Sequence, residues 1–118
     1  MLRVYGIKNC DTVKKAQKWL RDNNIDFELV DFKTTAPTRT QIQHWLTISD
    51  IKTLVNKHSK TYRELSDVEK MMISESEIES LLLKYPLLIK RPVIELNEET
   101  VLVGFDETVY EVNFKNKD

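Results

Sequence analysis

The chain has 118 residues, 18 Lys and Arg against 19 Asp and Glu, a net charge of −1 and 41% hydrophobic residues. That is one domain's length, and enough apolar matter to bury roughly two-thirds of the unfolded surface. The balanced charge offers no global field for nucleic acid or an anionic membrane. No apolar run reaches membrane-spanning length, and no signal-peptide pattern opens the chain. The single cysteine, Cys10, excludes an intramolecular disulfide and a multi-cysteine metal cluster. A soluble cytoplasmic protein is the expectation.

Leu2–Gly6 is a short apolar run closed by glycine, the pattern of a buried strand. Ile7-Lys8-Asn9-Cys10-Asp11-Thr12 is polar and reads as a loop. From about Thr12 to Asn24 the spacing predicts a helix, with Val13, Ala16 and Leu20 on one face, Trp19 beside them, and Asn23-Asn24 as its stop. Ile25–Phe32 reads as a second strand. Strand, helix, strand predicts a parallel βαβ unit.

The middle is helical. Thr38 and Gln41 form a capping-box pattern ahead of Ile42, Trp45 and Leu46. The same signature recurs as Ser66 with Glu69 before Met71-Met72-Ile73, and as Ser74 with Glu77 before Ile78, Leu81 and Leu82. Pro86 stops the last of these helices. Val93–Leu96 and Thr100–Val103 flank Asn97-Glu98-Glu99 as an antiparallel hairpin. Asp106–Phe114 reads as a short helix started by acidic residues, and Lys115–Asp118 as a frayed end. The whole predicts an α/β thioredoxin-like fold with a mixed sheet and a helical insertion between the second and third strands. A single domain, 1–118, would then comprise a core of 1–33 and 87–114 and an insertion of about 34–86.

Gly6 and Gly104 are the only glycines, so neither a P-loop nor a GxGxxG fingerprint exists. No Gly-x-Ser-x-Gly elbow supports serine hydrolysis. His44 and His58 are too few and too separated to suggest a metal site. Glu75, Glu77 and Glu79 read as helix-start charge, and Trp19 and Trp45 as core. Cys10 is different. It lies between a strand end and a helix start, where unpaired N–H groups and the helix dipole favour thiolate over thiol. Lys8 and Lys14 add positive charge and Asp11 opposes it. A lone cysteine is also, commonly, a small buried hydrophobe. Arg91-Pro92 is the second feature, because X–Pro bonds are the only common cis peptides; an ordinary edge-strand proline is the plain alternative.

Tyr5-Gly6-Ile7-Lys8-Asn9-Cys10-Asp11-Thr12 with Lys14-Lys15-Ala16, and Ile89-Lys90-Arg91-Pro92-Val93, resemble the arsenate-reductase-like (ArsC/Spx) family over essentially the whole chain, in its YffB-type branch. The resemblance implies a thiolate nucleophile at Cys10, an anion-binding Arg91 before a cis-proline at Pro92, and Lys8, Asn9 and Thr12 lining the cysteine pocket. It implies glutathione as co-substrate, glutaredoxin as a possible partner and a small oxyanion or disulfide as substrate. No bound cofactor, metal, membrane or nucleic acid is expected, and the protein is expected to be a monomer. Arsenate reductases of the family carry a histidine where Gly6 stands here, and two further anion-binding arginines, one at Asn56 and one near Gly104-Phe105. Their absence implies poor arsenate reduction. Spx-type regulators, which bind RNA polymerase, commonly switch through Cys-x-x-Cys; Val13 occupies the second position here.

Overall fold

The computed structural model describes residues 2–115. Two compact units emerge, one from the residues up to Asp31 together with those from Arg91 onward, the other Phe32–Lys90.

The first unit is a four-stranded sheet with two helices. Strand β1 (Leu2–Gly6) is followed by α1 (Asp11–Asp22) and β2 (Phe27–Asp31). The chain returns as β3 (Val93–Glu95), β4 (Val101–Val103) and a last helix, Glu107–Lys115. The sheet order is β2-β1-β3-β4. β1 and β2 are parallel, joined by α1, whereas β3 pairs antiparallel with both β1 and β4. The sheet is therefore mixed, as expected of a thioredoxin-like fold. Register builds the core: Leu29 lies opposite Val4, Val4 opposite Ile94, and Ile94 opposite Leu102. That cross-strand row packs with Ala16, Trp19 and Leu20 of α1 and Tyr110 of the last helix. Each large apolar side chain buried in this way contributes about 1.5–3 kcal/mol.

Helix α1 begins one residue earlier than its apolar spacing suggests, and Cys10 itself is the N-cap. It ends at Asp22, where Asn24 takes a left-handed conformation, φ 58°. Asparagine tolerates this better than most residues. β2 is trimmed to Phe27–Asp31, because Ile25 is drawn back onto the helix end by a bond from its N–H to the Leu20 carbonyl, 2.9 Å. Lys115 closes the last helix instead of fraying; residues 116–118 of that expected frayed end lie outside the described residues.

The second unit is built from short helices: α2 (Arg39–Ile48), α3 (Ile51–Leu54), α4 (Lys60–Arg63), α5 (Asp67–Met71), α6 (Ile78–Lys84) and a 3₁₀ turn at Pro86–Leu88. The last helix of the chain, in the first unit, is therefore α7. Thr38–Gln41 and Ser66–Glu69 are complete capping boxes. Ser74 does not cap. Its carbonyl accepts from Glu77 N–H and Ile78 N–H, closing a backbone turn, and Glu77 precedes α6 without a side-chain cap. Met72 and Ile73 fall beyond the end of α5. Asp50 and Ser59 cap the one-turn helices α3 and α4, which apolar periodicity does not reveal. Ile42, Trp45, Leu54, Leu81, Leu82 and Leu88 are fully buried in this unit. Among the described residues, no helix is long and apolar enough to cross a membrane.

Candidate active site at Cys10

Gly6 ends β1 and lies opposite Asp31 of β2. The chain then turns through Lys8 and Asn9 and enters α1 at Cys10. The turn is tied down by a bond from the Lys8 backbone N–H to Asp31 Oδ2, 3.2 Å. Cys10 has extended backbone, φ −135° and ψ 122°, as an N-cap requires. Its carbonyl accepts from Lys14 N–H at 2.9 Å, starting the helix. Its side chain makes no capping bond and is partly exposed. The sulfur therefore stands at the N-terminus of a 12-residue helix without being consumed by it. The N–H groups and dipole there favour negative charge, and the acidic Asp11 in the first turn opposes it. Lys8, Asn9, Thr12 and Lys14 are all exposed around this turn.

Arg91 and Pro92 arrive at the same end of the sheet. Val93 pairs with Tyr5, so Pro92 sits one step further out, next to the strand end that leads into the cysteine loop. The Arg91–Pro92 bond is cis. Pro92 is buried and Arg91 half-buried. The Pro92 carbonyl accepts from Gly104 N–H at 2.8 Å. Gly104 has φ 81°, a conformation that favours glycine. Its carbonyl in turn accepts from the Tyr110 hydroxyl at 2.7 Å. Burial pushes the Tyr110 phenol well above its usual range, so it remains a donor. Tyr5, beside Gly6, is also raised, by burial first and by its hydrogen bond to Glu95, 2.9 Å.

Asn56 belongs to the helical unit. Its Oδ1 accepts from His58 N–H at 3.0 Å in a local turn. It borders a cavity of about 510 Å³ lined also by Lys52, Lys57, His58 and Lys90, with no acidic residue. His44 and His58 take part in no metal-binding group: among the described residues no three His, Cys, Asp or Glu side chains cluster to hold an ion. Trp19 and Trp45 are buried in the cores of their respective units, and Glu79 pairs with Arg39.

Three features escaped sequence reasoning. Asp31 anchors the cysteine loop through Lys8, Gly104 bonds on both sides, and Gly6 has no room for a side chain, since a Cβ there would lie 2.7 Å from Val13 Cγ2. Only the scarcity of glycine hinted at the last two. A chain with two glycines keeps them where the backbone requires them.

A parallel βαβ unit extended by an antiparallel hairpin, with a cysteine at the N-cap position of its first helix and a cis-proline leading into its third strand, defines a thioredoxin-like protein. The ArsC family model matches residues 5–113, and the chain belongs to that family. It is similar to a Haemophilus influenzae protein described as uncharacterized, 42% identical over 114 residues, spanning 97% of this chain and 99% of that one. It is 31% identical over 110 residues to the global transcriptional regulator Spx of Streptococcus pneumoniae, spanning 91% of this chain and 80% of that one. The solved structure of a protein called YFFB superposes with a TM-score of 0.89 at 34% identity, over 95% of this chain and 97% of that one.

Proposed function

We propose that this ArsC-family protein is a glutathione-dependent thiol reductase with the Cys10 thiolate as nucleophile. The observation that carries the reading is the placement of the chain's single cysteine: partly exposed, at a helix N-cap, with its side chain not used as the cap. The Cys10 thiolate attacks one sulfur of a substrate disulfide, forming a Cys10 mixed disulfide and expelling the other sulfur as thiolate. No second cysteine can resolve this intermediate, so an external thiol must. One glutathione thiolate attacks the substrate sulfur of the mixed disulfide and releases Cys10. A second glutathione reduces the resulting glutathionyl substrate. Two glutathiones become one glutathione disulfide, and the substrate takes up both electrons and two protons.

In this reading Arg91 orients a carboxylate or other anionic group on the substrate, through the forked donors that suit such groups. Pro92 shapes the loop beside it, and Lys8, Asn9 and Thr12 line the approach to Cys10. Where the disulfide attacked is oxidised glutathione itself, Cys10 becomes glutathionylated and one glutathione leaves as thiolate; glutaredoxin is a partner able to clear that adduct. The protein acts as a cytoplasmic monomer with no resident cofactor. Arsenate is a poor substrate, because charge-assisted hydrogen bonds are worth about 1.5–3 kcal/mol each and the positions of two are occupied by Asn56 and the Gly104 region.

Intact mass after incubation with oxidised glutathione tests the reading. One glutathionyl group is expected on the native chain and none on Cys10→Ser, with adduct formation slowed in Arg91→Ala without loss of fold. A native chain that forms no adduct overturns it. The Spx similarity favours a second reading, a polymerase-binding regulator that lacks the two-cysteine switch. There Cys10→Ser leaves RNA polymerase capture unchanged and no thiol-dependent turnover occurs.

A further inference from the structure

Position 6 is where strand and helix come closest. A Cβ built on Gly6 would lie 2.7 Å from Val13 Cγ2 and 3.5 Å from Cγ1. The first of these is a separation that real Cβ atoms do not adopt, so something would have to move. Val13 cannot simply turn aside. It is β-branched and helical, and such residues are held in one strongly preferred rotamer. It is also fully buried. What must give is the backbone of the first turn of α1. That turn begins at Cys10, whose carbonyl is bonded to Lys14 N–H.

We infer that Gly6 and Val13 form a positioning pair: the bare backbone of one and the branched side chain of the other set how close the helix start lies to the strand end, and thereby where the Cys10 sulfur sits. This rests on the reading of Cys10 as nucleophile. Neither residue touches the reacting atoms. A side chain such as histidine at position 6 is incompatible with Val13, and a smaller cysteine at position 13 would leave a void against Gly6.

The test is the rate of Cys10 alkylation by iodoacetamide as a function of pH, with thermal unfolding alongside, in the native chain, Gly6→Ala, Val13→Ala and the double variant. Gly6→Ala is expected to slow alkylation at neutral pH and to move the midpoint of the profile upward, because only the thiolate is alkylated and a displaced helix start stabilises it less. Gly6→Ala with Val13→Ala, which removes both Cγ atoms, is expected to return rate and midpoint towards native values. Val13→Ala alone is expected to lower the melting temperature and, by letting the first turn settle differently on Gly6, to move the profile, though less than Gly6→Ala does. If Gly6→Ala does not fold, recovery of both folding and the native alkylation profile in the double variant supports the pair. A Gly6→Ala profile that superposes on the native one, or a double variant no closer to native than Gly6→Ala, overturns the pair while leaving the nucleophile reading intact. A native Cys10 that alkylates no faster than free cysteine overturns the nucleophile reading and the pair's role with it.

Discussion

The sheet unit and the helical unit reach order by different routes. In the sheet unit the decisive interactions join residues far apart in sequence: Tyr5 with Glu95, Lys8 with Asp31, Gly104 with Pro92, and a row of side chains across four strands. In the helical unit most of the polar side-chain bonds are made within a turn. Thr38, Asp50, Ser59 and Ser66 each accept from an N–H three residues on, and two of these are reciprocal boxes. Short helices are marginal alone and live on their caps and on tertiary packing. The functional candidates sit in the unit whose geometry is set by non-local register, where a side chain's position is determined by several strands at once. The helical unit can tolerate local adjustment; the sheet unit transmits it.

Core truncation separates the two most strongly. Trp45→Ala is expected to cost about 3–5 kcal/mol, as for other buried tryptophans. Amide exchange in that variant should accelerate across residues 32–90 well before the amides shared by β1, β2 and β3. Equal loss of protection everywhere would mean the units unfold as one and would break the comparison. Tyr110→Phe comes next. It removes the hydroxyl from a buried carbonyl at Gly104, an effect of about 1–2 kcal/mol, and the Gly104 and Val93 amides should report it while those of α2 do not. Ser66→Ala should cost about 1 kcal/mol, the usual value of an N-cap, with the shift changes confined to α5 and its neighbours; a melting temperature equal to native would show that packing alone holds α5.

The finest distinction is in acid. The Tyr85 hydroxyl, 2.5 Å away, and the Ser66 N–H hold the Glu69 carboxyl down from the usual 4.5 to about 2. A folded value below the unfolded one means that the stabilisation is complete above the ordinary carboxylate range and is lost as pH falls from 4.5 towards 2. The stability difference between the native chain and Glu69→Gln should therefore shrink through that window, and Tyr85→Phe should raise the Glu69 midpoint seen by NMR. A constant difference down to the lowest pH would contradict the assignment.

What the sequence discloses follows the same division. The two capping boxes were legible because three-residue spacing is all they need. Ser74 carried the same letters, yet a backbone turn claimed the N–H groups it would have capped. α3 and α4 are a single turn each, too short to display a period. In the sheet unit the strands, the parallel crossover and the hairpin follow from apolar runs and turn residues. Cys10 and Arg91-Pro92 stand out as residue types in unusual settings. The contact of Gly6 with Val13, seven residues on, depends on how a helix settles on a strand, and the two bonds of Gly104 depend on tertiary closure, so no local pattern announces either.

Because the chain has two glycines and no more, its backbone NMR spectrum has two resonances in the well-resolved glycine region. One belongs to Gly6, packed beneath the first turn of the helix that starts at Cys10. The other belongs to Gly104, whose N–H is held by the carbonyl of Pro92. A ligand or adduct arriving at this end of the sheet can thus be watched from two sides without a label: one signal reads the cysteine helix, the other the proline loop. Whether they move together or apart during a titration separates a rigid site from one that adjusts.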